Sequence, residues 1–319
     1  MARRIVMIRN FKIGHYTDKK HATGCTVILC PDANTASCFI SGSSPGSREL
    51  ALLSPKRKMQ SINALLLTGG SAFGLNAAAG VMAFLEEQNI GYETSFAKVP
   101  IVPTAVIYDL NIGSAQIRPV VENAMQACRE ARHENMMQGT IGAGTGATVG
   151  KWNGLDSCMK GGLGIAHFEN DGAQITAICV VNAVGDIVDE HGRIIAGAIE
   201  SNGDFIAGKD YTSRWKLPKA GMSENTVLCA LLTNIQLTKV QAYNMAKRGQ
   251  NGLARAIYPA NTSFDGDVVF TVSSNEVKFD HEYMYEAGAE VIRQAIINSV
   301  KNAGSISNIP SFLELDKLK

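Results

Sequence analysis

"SENTVLCALLTN", residues 223–234, opens on an Asn225-Thr226 step and runs on as Val227-Leu228-Cys229-Ala230-Leu231-Leu232 with no charge. An uncharged run of this length fits a strand buried on both faces. Thr226 stands at its mouth, either as a polar strand-edge residue or as an oxygen nucleophile mounted on a rigid strand.

Working outward, the pattern after this strand predicts a helix from Thr238 to about Ile257, a strand over Asp267–Ser273 and a last helix over Glu282–Ala303. Before it, Ile199–Glu224 is frequent in Gly, Ser, Asp and Lys and reads as an exposed connector. Further upstream, Gly24–Cys30 and Ala36–Ile40 read as a strand pair around the Pro31-Asp32-Ala33-Asn34 turn. Asn63–Leu67, Thr68-Gly69-Gly70 and Ala72–Glu87 form a strand, a glycine turn and a helix. Val102–Asp109 and Ala173–Val184 read as strands, and Pro119–His133 as an amphipathic helix with Pro in its first turn. Helices alternating with two-face-buried strands imply a layered α/β sheet structure, with no clear domain boundary.

The chain has 319 residues and a formal net charge of +1, from Lys+Arg 30 against Asp+Glu 29. That balance offers no basic footprint for nucleic acid and no acidic tail. Lys56-Arg57-Lys58 is accounted for by a solvated face. The seven cysteines are odd in number, spread out and without zinc spacing, which fits buried free thiols of a reducing compartment. Met59–Leu85 is uncharged for longer than the roughly 18–20 residues that span a bilayer. Asn63, Thr68-Gly69-Gly70-Ser71 and Asn76 break it up, so it reads as core, not membrane. With no signal-peptide pattern at the N-terminus, the expectation is a soluble cytoplasmic protein.

The glycine-rich stretch Gly139–Gly164 does not carry nucleotide-binding spacing. Gly144-Thr145-Gly146 lacks the third glycine of a dinucleotide fingerprint, and Gly146 and Gly150 enclose three residues before Lys151-Trp152 instead of a Lys-Ser/Thr ending. Tight turns and close packing account for these glycines. The six histidines include no HExxH and no i, i+4 pair, so no metal is expected. Ser71 resembles half of a nucleophile elbow, but its glycine arrives one residue late, which leaves a helix-entry turn.

Asp265-Gly266-Asp267 precedes the apolar strand Val268-Val269-Phe270-Thr271-Val272, so it is either an ordinary turn and strand entry or a pair of acids at a sheet end. Lys160, beside Gly161-Gly162, is either solvated or placed by the flexible glycines. Asn182, ending Ala177-Ile178-Cys179-Val180-Val181, is either a turn former or a working amide. Together with Thr226 they could be the parts of an N-terminal-nucleophile hydrolase. Such an enzyme frees the α-amine of a Thr, Ser or Cys by cleaving the bond before it. That amine, with an ordinary pKa of about 7.7–8, then serves as base for the neighbouring hydroxyl.

Ordered motifs along nearly the whole chain carry a resemblance. They are Thr23-Gly24-Cys25-Thr26, Leu67-Thr68-Gly69-Gly70-Ser71-Ala72-Phe73-Gly74-Leu75, Val99-Pro100-Ile101-Val102-Pro103 and Gly142-Ala143-Gly144-Thr145-Gly146-Ala147. Met159-Lys160-Gly161-Gly162-Leu163-Gly164, Val181-Asn182-Ala183-Val184-Gly185-Asp186, Asn225-Thr226, Gly252-Leu253-Ala254-Arg255-Ala256-Ile257 and Phe264-Asp265-Gly266-Asp267 complete them. The sequence resembles the self-processing L-aminopeptidase/D-esterase family, which includes β-peptidyl aminopeptidases and nylon-oligomer hydrolases.

The resemblance implies one αββα sandwich domain over residues 1–319, cut at Asn225–Thr226 into an α chain (1–225) and a β chain (226–319). It also implies a homo-oligomer, a tetramer or larger, with no cofactor. On it, Thr226 is the nucleophile and Asp265 and Asp267 position its amine and hydroxyl. In some other members these two positions are Ser and Glu, and the Asp/Asp version looks most like the nylon-oligomer hydrolase branch. Lys160 and Asn182 match the charge-balancing lysine and the oxyanion amide, and Tyr108 falls where the family has an active-site tyrosine. Two positions depart from the pattern. Ser41-Gly42-Ser43-Ser44-Pro45 replaces an Arg-Gly-Gly-Ala-Pro-like loop, and Asn261 stands where many members have His. The expected substrate is a small-molecule or short-peptide amide. An acyltransferase of the ornithine-acetyltransferase type and a non-catalytic scaffold are the competing expectations.

Overall fold

The computed structural model describes residue 8, residues 10–206 and residues 225–315. Ten strands make two five-stranded sheets. In chain order they are β1 (Lys12–Asp18), β2 (Thr23–Leu29), β3 (Thr35–Ile40), β4 (Ser47–Arg48) and β5 (Ala64–Thr68), followed by β6 (Thr104–Val106), β7 (Gly162–Asn170), β8 (Ala173–Asn182), β9 (Thr226–Ile235) and β10 (Val268–Val277). The first sheet has the order β1-β2-β5-β6-β4 and the second β7-β8-β9-β10-β3. The principal helices are α1 (Ala78–Glu87), α2 (Val121–Arg129), α3 (Lys239–Ala256) and α4 (His281–Lys301).

Side-chain alternation decides the layering. Along β9, Leu228, Ala230 and Leu232 enter the core between the sheets, where they meet Leu65, Leu67 and Ile28 of the first sheet. Val227, Cys229 and Leu231 face the other way, against Met245, Leu253, Ile292 and Ile296 of α3 and α4. The outer face of the first sheet packs Val27, Leu66 and Cys25 against Val81, Ala124 and Cys128 of α1 and α2. The result is an αββα sandwich. Each large aliphatic side chain buried in it contributes about 1.5–3 kcal/mol relative to exposure.

The helices begin where the sequence caps them. Thr238 Oγ1 accepts from the Gln241 N–H at 3.3 Å while Gln241 Oε1 accepts from the Thr238 N–H at 2.8 Å, a reciprocal cap on α3. Asp280 accepts from Glu282 and Tyr283 to start α4. The two helices meet at backbone distance through Gly252, where a Cβ would stand 1.9 Å from the Ala289 carbonyl oxygen. No other residue fits there.

The strands on either side of Pro31–Asn34 both form, but they are not a hairpin: β2 pairs with β5 and β3 pairs with β10. The turn carries the chain from one sheet to the other. Asn34 secures the crossing by donating to the Ile62 carbonyl at 2.7 Å and accepting from the Ile62 N–H at 3.0 Å. Two strands that each bury both faces, in different layers, cannot also be neighbours. The helix expected over Ala72–Glu87 is broken into Ser71–Gly74, a 3₁₀ turn at Leu75–Ala77 and α1. The connector expected over Ile199–Glu224 lies, from residue 207 onward, outside the described residues, as do Ser223 and Glu224. Among the described residues no helix is long and apolar enough to cross a membrane, Met59–Leu85 included.

Candidate active site

Three strand ends meet at one edge of the second sheet. β9 and β10 run parallel, with Leu228 opposite Val268, so both start at the same edge. The connection between them is the crossover helix α3, as parallel pairing requires. β8 runs antiparallel to β9 and ends there, with Asn182 directly opposite Thr226. Asn225 bridges to Asp265 one step before the strands begin. Thr226, Asn182, Asp265 and Asp267, spread over 86 positions, thus become neighbours, and all four are buried.

Thr226 Oγ1 donates to the Asn225 carbonyl oxygen at 2.5 Å. The same oxygen accepts the Gly266 N–H at 2.7 Å. Gly266 lies under the hydroxyl, for a Cβ placed on it would stand 3.0 Å from Thr226 Oγ1 and 2.6 Å from the Ser44 carbonyl oxygen.

The two acids are held by backbone and hydroxyl donors. Asp265 Oδ2 accepts from the Thr262 N–H and the Thr262 hydroxyl, both at 2.7 Å. Asp267 Oδ1 accepts from the Val227 N–H at 2.7 Å, and its carboxylate also accepts from the Asn261 N–H. Burial raises the pKa of both. Asp267 is pushed far above the usual carboxylate range, first by burial and then by the neighbouring Asp265 charge. The Asp265 charge is favoured by Thr262 and by the Lys151 ammonium.

Lys160 does not join this pair. Its fully buried Nζ donates to the carbonyls of Gly144, Ala147 and Gly161 at 2.8–3.1 Å, and the carboxylate that acts on it is Asp109. Burial brings its pKa down to about 7. The lysine at the site is Lys151, whose Nζ donates to Asn182 Oδ1 at 2.8 Å and to the Asn182 carbonyl at 3.0 Å. The reading by motif passed over it. A signal was there: Lys151 is the only charged residue between Glu134 and Asp156, in a stretch dense with glycine.

Asn182 is oriented from both ends of its amide. Oδ1 accepts from the Thr148 N–H at 3.0 Å as well as from Lys151, while Nδ2 donates to the Tyr108 carbonyl at 3.0 Å. The atom of Tyr108 that meets the amide is therefore its main-chain oxygen. Next to it, Asp109 accepts from the Gly70 N–H at 2.7 Å and the Thr23 hydroxyl at 2.8 Å, and burial lifts its pKa to about 6. The glycine-rich segment supplies Thr148, Lys151 and the carbonyl cage of Lys160, so its glycines pack the site. Among the described residues no group of three or more His, Cys, Asp or Glu side chains could hold a metal.

The chain's similarities to known proteins agree with this geometry. The model of peptidase family S58 matches residues 4–310. An uncharacterized aminopeptidase of Mycobacterium leprae is 32% identical over 97% of this chain and 92% of its own length. A 6-aminohexanoate-oligomer endohydrolase of Kocuria sp. is 32% identical over 67% of this chain and 61% of its own. Among solved structures, the L-aminopeptidase D-Ala-esterase/amidase of Ochrobactrum anthropi, described as a variant of the Ntn hydrolase fold, superimposes with a TM-score of 0.74. That match covers 98% of this chain and 91% of the other at 15% identity. A Burkholderia sp. β-aminopeptidase gives 0.73 over 98% and 90%, at 17% identity. The chain belongs to peptidase family S58, hydrolases of peptide and amide bonds with an Ntn-type αββα fold.

Proposed function

We propose that the protein is a self-processing N-terminal-threonine amide hydrolase whose first substrate is its own Asn225–Thr226 bond. The observation that carries this reading is the Thr226 hydroxyl folded onto the Asn225 carbonyl, with the Gly266 N–H on the same oxygen. Thr226 Oγ1 attacks the Asn225 carbonyl carbon, the C–N bond breaks, and Asn225 passes to the oxygen as an ester. The nitrogen takes up the hydroxyl proton as a free amine. Water then hydrolyses the ester, leaving residues 1–225 and 226–319 as two chains. Gly266 N–H is placed to receive the oxyanion of the first step.

In the cut enzyme the neutral Thr226 amine takes the hydroxyl proton as Oγ1 attacks a substrate amide, giving an acyl-enzyme that water releases. Asn182 is the side-chain donor to the oxyanion. One Nδ2 proton is held by the Tyr108 carbonyl, and an amide nitrogen carries a second. Lys151 orients that amide and, with the Thr262 donors, favours the charge of Asp265 beside a second buried acid. The relatives' names, aminopeptidase and 6-aminohexanoate-oligomer endohydrolase, support a small amino-acid oligomer or amide as substrate.

Electrophoresis of the purified protein with N-terminal sequencing tests the reading. Two bands are expected, the smaller beginning Thr226-Val227-Leu228. A single full-length band with full amidase activity would sink it. A panel of L-, D- and β-amino-acid amides and 6-aminohexanoate oligomers, run with and without an acceptor amine, identifies the substrate and separates hydrolysis from acyl transfer.

A further inference from the structure

Gln250 interrupts the apolar stripe of α3. Its neighbours on that face, Ala246, Gly249 and Leu253, are core residues, and Gln250 is itself 9% exposed. A buried amide is costly unless both its ends are bonded. Both ends are bonded, to two different loops. Gln250 Oε1 accepts from the Ser41 hydroxyl at 2.9 Å, and Gln250 Nε2 donates to Asn261 Oδ1.

Those two loops grip Asp267 from opposite sides. The N–H groups of Ser41 and Gly42 both donate to the Asp267 carbonyl at 3.1 Å, and Ser44 N–H does the same for Asp265. On the other side the consecutive amides of Asn261 and Thr262 serve the carboxylates of Asp267 and Asp265 in turn. Asn261 holds this geometry with a left-handed backbone, φ 56°. Ser41, at the head of the 41–45 loop, and Asn261 meet in space on this one side chain.

We propose that Gln250 is a positioning residue: by tying Ser41 to Asn261 it clamps both loops and holds Asp267 in register with Thr226. This rests on the hydrolytic reading above. The Ser41–Gln250–Asn261 relay is neutral throughout, so it fixes the acid pair without adding charge. The titratable and charged groups that face Asp267 are Asp265 beside it and the Cys229 thiol of β9, with Lys151 acting on Asp265. Loosening the relay lets water reach Asp267, and because burial acts on it more strongly than the Asn261 N–H does, its titration moves down towards the ordinary carboxylate range.

The test uses Gln250→Met, which keeps the volume and removes both hydrogen bonds, and Asn261→Gly, which keeps the left-handed backbone and cuts one arm. Each is expected to lower kcat about 10-fold with KM within about twofold, the pattern of a lost transition-state contact. In each, the Asp265–Asp267 titration followed by carboxyl ¹³C NMR is expected to fall by about half a pH unit or more. The double variant is expected to be no worse than either single one, because both cut the same relay. If Gln250→Met does not fold, Ser41→Ala with Asn261→Gly replaces it. Folded variants with parental kcat and an unmoved carboxyl titration overturn the proposal. A parent that stays uncut and inactive overturns the hydrolytic reading instead, while the carboxyl titration still decides the role of Gln250.

Discussion

Thr226 and Asn225 are adjacent in sequence and hydrogen-bonded to each other, the hydroxyl of one on the carbonyl of the other at 2.5 Å. A threonine at a strand start normally has water or a cross-strand partner for its hydroxyl. Here the second donor to that carbonyl comes from Gly266, at the head of the parallel strand. The Asn225 carbonyl oxygen thus takes two donors, one from the residue that follows it and one from the neighbouring strand's entry.

Thr226→Ala is expected to run as one full-length band with no amidase activity, and Thr226→Ser to keep cutting, since it retains the hydroxyl. Intact mass spectrometry of each purified variant checks this. Two chains in the Ala variant would mean that another nucleophile makes the cut.

Gly266→Ala places a methyl 3.0 Å from Thr226 Oγ1 and 2.6 Å from the Ser44 carbonyl oxygen. The hydroxyl or the loop must shift, and self-cutting is expected to slow at least about 10-fold, roughly 1.4 kcal/mol of barrier. Pulse-chase electrophoresis gives the rate. Cutting at the parental rate would remove Gly266 from the site.

Two of the buried lysines, Lys151 and Lys160, should separate by phenotype. Lys151→Met takes the ammonium from Asn182 and is expected to lower kcat about 10²-fold, in the range for losing an oriented oxyanion donor, with a modest loss of stability. Lys160→Met strands three buried carbonyls, each costing about 1–3 kcal/mol, and its main effect is expected in the melting temperature. The reverse result would restore Lys160 to the chemistry.

Asp186 predicts a pH dependence of stability. Oδ1 accepts from the Trp152 indole and the Ala198 N–H, both at 2.8 Å, yet burial pushes its pKa up from 3.8 to about 7. The folded protein therefore holds a proton that the unfolded chain releases, and this site's contribution to stability falls as pH rises from about 4 to about 7. A shift of that size corresponds to about 4 kcal/mol. Asp186→Asn, which cannot ionise, is expected to flatten that part of the profile and to gain on the parent at pH 8. Urea unfolding of both proteins at pH 5 and pH 8 measures it. Parallel profiles would place the titration elsewhere.

Much of the candidate site was legible because its residues stand at strand ends. Asn182 closes one apolar run, Thr226 opens another, and Asp265-Gly266-Asp267 precedes a third, so each was visible as a polar group where a buried strand stops. Lys160, beside two glycines, looks free in sequence to reach a carboxylate, whereas those glycines and their neighbours turn three carbonyls onto its ammonium. Lys151 and Gln250 were missed for a shared reason. Each makes its contacts with residues 11 to 209 positions away, and no local spacing encodes such partners.

By itself the sequence determined the alternation of buried strands and capped helices, and with it the layered fold and the Asn225-Thr226 step at the mouth of β9. Those are properties of short windows, where side-chain period and local capping act. Only the tertiary structure decided which strands are neighbours: β2 and β3 went to different sheets, and β9 and β10 ran parallel so that both their starts share one edge. That parallel register set Gly266 against Thr226, while the packing of the glycine-rich segment brought Lys151 onto Asn182. Burial in a shared core selects such contacts, and it depends on every layer at once.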